Sequence, residues 1–195
     1  MEYDKTRQTL IERIRNQNDG VAWEEFVESY ELYIYAIIRR MGISADDCKD
    51  IHQDVLLKIW NHLPDYRLNP NTRFRGWLST VTANSVRNFL RSRANKSKTL
   101  DKLEDSMKIH SGGGSELDRI AEEEWENFLA DKAMSAVSQA FSGKGIEVFQ
   151  MSLQGKSIEE ISKALGLEES SVYQLRARVK KSLVKEISRL REELD

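Results

Sequence analysis

Proline is nearly missing from this chain of 195 residues: Pro64 and Pro70 are its only two. Long stretches are therefore free to be helical, because proline is the residue that removes a helical N–H and clashes with the preceding turn. Cysteine is scarcer. The single Cys48 cannot close an internal disulfide, a usage compatible with a reducing compartment. Its setting, Asp46-Asp47-Cys48-Lys49-Asp50, is too acidic to favour a thiolate. No run of about 18 apolar residues occurs, so no membrane span is expected. The N-terminus MEYDKTRQTLIERIRNQ is charged throughout and lacks the apolar core of a secretory signal; a cytoplasmic location is the expectation. His52, His62 and His110 stand at no metal-ligand spacing with Cys48, and no G-x-x-x-x-G-K-[ST] phosphate loop is present. No catalytic residue, metal site or cofactor is expected.

One absence is local. From Arg67 to Lys98 there is no Asp or Glu, while Arg67, Arg73, Arg75, Arg87, Arg91, Arg93, Lys96 and Lys98 all fall there. In a chain of net charge -2, this segregation points to a polyanionic partner. The stretch opens on a loop with Tyr66, Arg67, Asn69 and Arg73 and continues as a helix over about 74–93. Phe74, Leu78, Val81 and Phe89, with Trp77 beside them, recur at helical spacing toward a core. Thr80, Ala83, Asn84, Arg87 and Arg91 share another face. Cations interleaved with aromatics form the pattern of a single-strand nucleic-acid surface; the alternative is a solvated basic face over buried rings.

The rest also reads as helix. Trp23, Phe26, Val27, Tyr30, Ile34, Ile37 and Ile38 make an apolar stripe over 22–41, ended by Gly42. Ile51, Val55, Ile59 and Leu63 make another over 45–63, closed by Pro64. Off that second stripe lie Asp50, Gln53, Asp54 and Leu57, an acidic-amide row with an apolar centre of the kind that can dock a protein. The pattern lapses over 94–118, where Ser111-Gly112-Gly113-Gly114-Ser115 has linker composition, and helix returns over 116–140. The fold class expected is all-α: two small helical domains, 1–95 and 119–195, joined by a flexible linker at 96–118.

The second domain holds the most explicit local grammar. Ser157 and Glu160 fit a capping box, Ile158, Ile161 and Leu165 share a face, and Gly166 suits a left-handed stop. A second helix starts near Glu169, with Val172, Leu175, Val179 and Leu183 on its inner side and Ser170, Gln174, Ala177, Arg178, Lys181 and Lys185 opposite. From Val172 to Arg191 there are seven Lys or Arg and one acid, Glu186. Helix, turn and basic helix together suit a major groove.

Several short motifs carry a resemblance to a known family. Asp47-Cys48-Lys49-Asp50-Ile51-His52-Gln53-Asp54-Val55, Phe74-Arg75-Gly76-Trp77-Leu78 and Val81-Thr82-Ala83-Asn84 are followed by Glu147-Val148-Phe149 and Ser157-Ile158-Glu159-Glu160-Ile161. In this order and separation they resemble a bacterial RNA polymerase sigma factor of the extracytoplasmic-function type, in the sigma-70 family, over about 20–95 and 120–190. The resemblance implies a specificity subunit and not an enzyme. It implies that 1–95 is sigma region 2, with Asp50, Gln53, Asp54 and Leu57 docking on the clamp helices of the polymerase largest subunit. Tyr66, Arg67, Asn69, Arg73, Thr80, Asn84, Arg87 and Arg91 would then hold the minus-ten element and aid its melting. It further implies that 119–195 is sigma region 4, reading the minus-thirty-five element through Ser170, Ser171, Tyr173, Gln174, Arg178 and Lys181. Core polymerase (clamp helices and flap), promoter DNA and an anti-sigma factor are the partners that follow. A helix-turn-helix regulator acting without being a polymerase subunit is the alternative; it accounts for the C-terminal half but not for the acid-free stretch.

Overall fold

Asp19, Ser44 and Ser157 each cap a helix by accepting a backbone N–H that has no partner within the helix. The computed structural model describes residues 10–66, 73–97, 114–141 and 143–194. Among these no strand occurs, in agreement with the all-α expectation. The described residues form two compact units, dividing between Phe128 and Leu129.

In the first unit, residues 10–14 are helical and bury Ile11 and Ile14. Helix α1 (Gly20–Arg40) is capped by Asp19, whose carboxylate accepts from the Ala22 N–H, and buries Phe26, Tyr30, Tyr33, Ile34, Ile37 and Ile38. Helix α2 (Ala45–His62) is capped by Ser44 and buries Cys48, Ile51, His52, Val55 and Ile59. A 3-10 turn, Leu63–Asp65, follows with Pro64 in its first turn, where a missing N–H costs nothing. Helix α3 (Phe74–Ser97) runs four residues beyond the expected Arg93. Its inner side is built partly from small polar residues: Ser79, Thr82 and Ser85 are buried beside Phe74, Leu78, Ala83 and Val86. Two of these hydroxyls are satisfied on the helix's own carbonyls, Ser79 on Gly76 (2.9 Å) and Thr82 on Leu78 (2.9 Å).

Helix α4 (Gly114–Ala140) corrects the expected layout. The stretch 96–118 is not all linker, since α3 occupies its start and α4 its end. Nor does the second unit begin at 119: residues 114–128 belong to the first. The cause is aromatic burial. Trp125 is fully buried, with ring contacts to Tyr33 (5.0 Å), Tyr30 (6.5 Å) and Phe128 (5.3 Å). The Arg75 guanidinium lies 5.4 Å from its ring centre and pairs with Glu122 at 2.9 Å. The acidic run 122–124, which reads as a solvated start of a second domain, is thus held by Arg75 and by Arg40, which pairs with Glu123 (3.0 Å) and Glu124 (3.7 Å). Among the described residues no helix is long and apolar enough to cross a membrane.

The second unit consists of the end of α4 with α5 (Gly145–Leu153), α6 (Ile158–Leu165) and α7 (Glu169–Leu194). Its core has two clusters. Val137, Phe149 and Val179 gather Met134, Phe141, Ile146 and Leu183, and Val148, Ile161 and Val172 gather Met151, Ile158, Leu165, Leu167 and Leu175. Gly145 is buried, and a Cβ there would meet Phe141 Cδ1 at 3.4 Å and Val179 Cγ2 at 3.5 Å, so helix α5 approaches α7 where no side chain intervenes.

Two predictions follow from the first unit. Trp125→Ala removes a fully enclosed indole and is expected to cost about 3–5 kcal/mol, read as a lowered urea midpoint of the N-terminal transition; an unchanged midpoint would show that Trp125 does not belong to that core. His52 is 6% exposed, its ring stacks on Tyr35 at 4.3 Å, and its Nε2 has no hydrogen-bond partner. Burial holds its pKa below the ordinary 6.5, against a smaller upward pull from Glu31. Between the unfolded and folded values the unfolded chain takes up the proton first, so stability is lost as pH falls below 6.5. His52→Phe, which keeps the ring stack, is expected to lose less stability than the parent between pH 7.5 and 5.5 in parallel denaturant titrations.

Candidate nucleic-acid and protein-docking faces

The α2 face is built by default. With Ile51, Val55 and Ile59 buried, the residues between them must turn outward. Asp50 and Gln53 are exposed and Leu57 is 59% exposed, and among the described residues Asp50 and Gln53 make no hydrogen bond or ion pair. Asp54 stands apart from them. Its carboxylate accepts from Lys58 Nζ at 2.6 Å, and the same ammonium donates to the buried Ser85 hydroxyl on α3 at 3.0 Å. Asp47 near the start of α2 takes Arg93 of α3 at 2.8 Å. The helix bearing the acidic row is therefore stitched to the helix bearing the basic one.

On α3 the outward row is Thr80, Asn84, Arg87, Asn88 and Arg91, at spacings of four, three, one and three, with Arg87 half-buried and the others exposed. Asn88 is the member that sequence reading missed, although its place four residues after Asn84 was there to be read. The amides have a positioning role. Asn84 Oδ1 accepts from Arg87 (3.0 Å) and Asn88 Oδ1 from Arg91 (3.3 Å), so two guanidinium groups are held along the helix surface. The Thr80 hydroxyl donates to Gly76 O at 2.8 Å. Arg75, one of the eight basic residues, is 8% exposed and spent on Glu122 and Trp125. Arg73 is exposed and borders a cavity of about 350 Å³ that Arg75, Ser79, Asp118 and Glu122 also line. Tyr66 is half-buried, its ring 4.7 Å from Trp77 and 5.6 Å from Phe74, so that ring packs inward. Arg67 and Asn69 lie outside the described residues.

In the second unit the local grammar is met in full. Ser157 Oγ accepts from the Glu160 N–H (3.2 Å) and Glu160 accepts from the Ser157 N–H (2.7 Å). That second bond, foremost, holds the Glu160 carboxyl below its usual range. Gly166 is left-handed at φ 60°. Ser162 Oγ donates to Leu167 O at 2.6 Å, the Leu167 N–H returns to Ser162 O at 3.1 Å, and Lys144 Nζ donates to Leu165 O. These bonds set the angle at which α7 leaves the turn. On α7, Ser170, Tyr173, Gln174, Arg178 and Lys181 are exposed and Ser171 is half-buried. Two aromatic contacts were not foreseen: Arg178 lies 5.6 Å from the Phe141 ring centre, and Arg176 lies 5.5 Å from that of Tyr173.

The Lys58 bridge bears on how the α2 face is probed. Asp54→Lys places a second ammonium beside Lys58 and is expected to lower stability by roughly 0.5–1 kcal/mol, whereas Asp50→Lys is expected to leave it unchanged. Matched urea titrations check this, and equal midpoints would remove the bridge from the account.

Comparison with known proteins bears on the first unit. Residues 26–96, which hold both the acidic row of α2 and the basic row of α3, match the family described as Sigma-70 region 2. No curated protein matches the chain. A solved structure described as CnrH in complex with the cytosolic domain of CnrY is similar over 92% of this chain and 96% of that one, at 20% identity and a TM-score of 0.38. With α2 and α3 inside the matched stretch, the part of the N-terminal unit that carries both rows is similar to Sigma-70 region 2.

Proposed function

We propose that this chain is a sigma-70 factor of the extracytoplasmic-function type, a two-domain specificity subunit of RNA polymerase and not an enzyme. Its region 2 docks on core polymerase and holds the minus-ten element, and the second unit, Leu129–Leu194, serves as region 4 on the minus-thirty-five element. One observation carries the reading: a single helical unit presents an acidic-amide row on α2 and a carboxylate-free cationic row on the adjacent α3, both within the stretch 26–96.

The two rows suit different partners. Asp50, Gln53 and Asp54 around the exposed Leu57 form a polar rim with an apolar centre, which fits the clamp helices of the largest subunit. The α3 row, with Arg73 at its entry, follows a phosphodiester backbone, and the half-buried Tyr66 ring is the aromatic group we assign to a displaced base. Taking a base out of the stack costs a few kcal/mol, and binding of the splayed strand offsets it. Held guanidinium groups lose less freedom on binding than free ones would, which is what the Asn84–Arg87 and Asn88–Arg91 bonds supply. Region 4 then needs a preset helix, and the bonds around Gly166 preset α7. An anti-sigma factor would compete for the same exposed rows.

Run-off transcription with core polymerase on a random promoter library tests the proposal. The chain is expected to confer promoter-specific transcripts that core alone does not give. Arg87→Gln with Arg91→Gln is expected to reduce them by tenfold or more and to flatten the salt dependence of single-strand binding by about 0.7 per lost phosphate contact. A chain that gives no specific transcript, yet binds a duplex operator alone at nanomolar affinity, is a regulator of the other kind.

A further inference from the structure

The reading edge of α7 has a narrower inventory than its charge suggests. On the first turns of the helix the exposed residues are Glu169, Ser170, Tyr173, Gln174, Ala177 and Arg178. Both guanidinium groups in this part lie against rings: Arg176 over Tyr173 and Arg178 over Phe141. The row Ser170, Gln174, Ala177, Lys181, with spacings of four, three and four, lies on one side of the helix; Arg176 is off it, and Arg178, four residues after Gln174, borders it with its guanidinium group against the Phe141 ring. Within that row Gln174 makes no hydrogen bond or ion pair among the described residues, so both ends of its amide are open. Ala177 follows it at i+3, and Tyr173, 53% exposed, flanks it on the apolar side.

Side chains that can meet base edges decide what a major-groove helix reads. Guanine is taken by a bidentate arginine or lysine, adenine by a bidentate amide through N6 and N7, and the thymine methyl by an apolar group. On the first turns of the helix the free bidentate group is an amide, its neighbours are a methyl and a ring, and the nearest guanidinium groups lie against aromatics; Lys181 stands about two turns further along, toward the phosphates. Ser170 accepts or donates to any base and discriminates little. Glu169 opens the helix, where its charge suits the helix terminus and repels phosphate.

The geometry points to an upstream duplex element centred on A·T pairs, with Gln174 taking adenine and Ala177 and Tyr173 receiving a thymine methyl. This rests on the sigma-factor reading and adds the base identity to it. Arg178 then acts on phosphate: the Phe141 ring holds it beside the reading edge, and it contributes affinity without choosing sequence. Phe141 is accordingly a positioning residue for that contact.

Holoenzyme assembled from core polymerase and the full chain would be presented with promoters randomised over the upstream element, and the transcripts sequenced. The parent chain is expected to select A·T pairs at the centre of the element. Gln174→Ala is expected to relax the choice of adenine by about 5- to 150-fold, and Arg178→Ala to weaken all templates alike. In a second arm, thymine at the selected position is replaced by uracil, which lacks only the methyl; a loss of about fourfold is expected, shrinking in Ala177→Gly. G·C pairs at the positions that Gln174→Ala affects would overturn the inference, as would a change of base preference with Arg178→Ala alone. Specific transcripts with no upstream preference would overturn it while leaving the sigma-factor reading standing. No specific transcripts at all would remove both.

Discussion

One ammonium group holds the N-terminal unit in register. Lys58 on α2 reaches the buried hydroxyl of Ser85 on α3 and the carboxylate of Asp54 on its own helix. Through it the α2 row and the α3 row keep a set separation. The energy of such a partly exposed bridge is modest, about 1 kcal/mol or less; its consequence is geometric. The apolar contacts of Phe74, Leu78 and Val86 would tolerate some sliding of α3, whereas a hydroxyl at 1% exposure needs its partner in one place. Asp47 and Arg93 repeat the stitch at the other end of the pair.

Small buried residues explain why the cationic row is available at all. Ser79, Thr82, Ala83 and Ser85 on the inner side of α3 allow close packing without long side chains. Arg87 and Arg91 are left on the outside, and the amides of Asn84 and Asn88 hold them there. With no carboxylate in 67–98, ion pairs of this helix reach other segments; among the described residues Arg75 pairs with Glu122 and Arg93 with Asp47.

Helices α1, α2 and α6 and the turn at Gly166 were readable within a residue or two, because apolar period, caps and a glycine or proline stop agreed there. The outward direction of Asp50, Gln53, Leu57, Thr80 and Asn84 was readable for the same reason. The placement of 114–128 was not. Glycines and a run of three acids at 122–124 read as linker and solvated surface, and nothing in the local pattern tells that Trp125 enters a slot made by Tyr30, Tyr33 and Arg75 almost a hundred to fifty residues away. Nor does periodicity distinguish a free arginine from one spent on an aromatic ring, as Arg178 is on Phe141. Partners distant in sequence decide both cases.

The central claim is that docking and strand capture are joined in one unit, so that the chain opens DNA only as part of the polymerase. Permanganate reactivity of promoter thymines, on a template recovered by selection, measures this directly. The account predicts reactive thymines across the minus-ten element when core polymerase and the chain are both present, and none with either alone. Reactivity with core polymerase alone, or tight duplex binding by the chain that leaves every thymine protected in the presence of core, would contradict it.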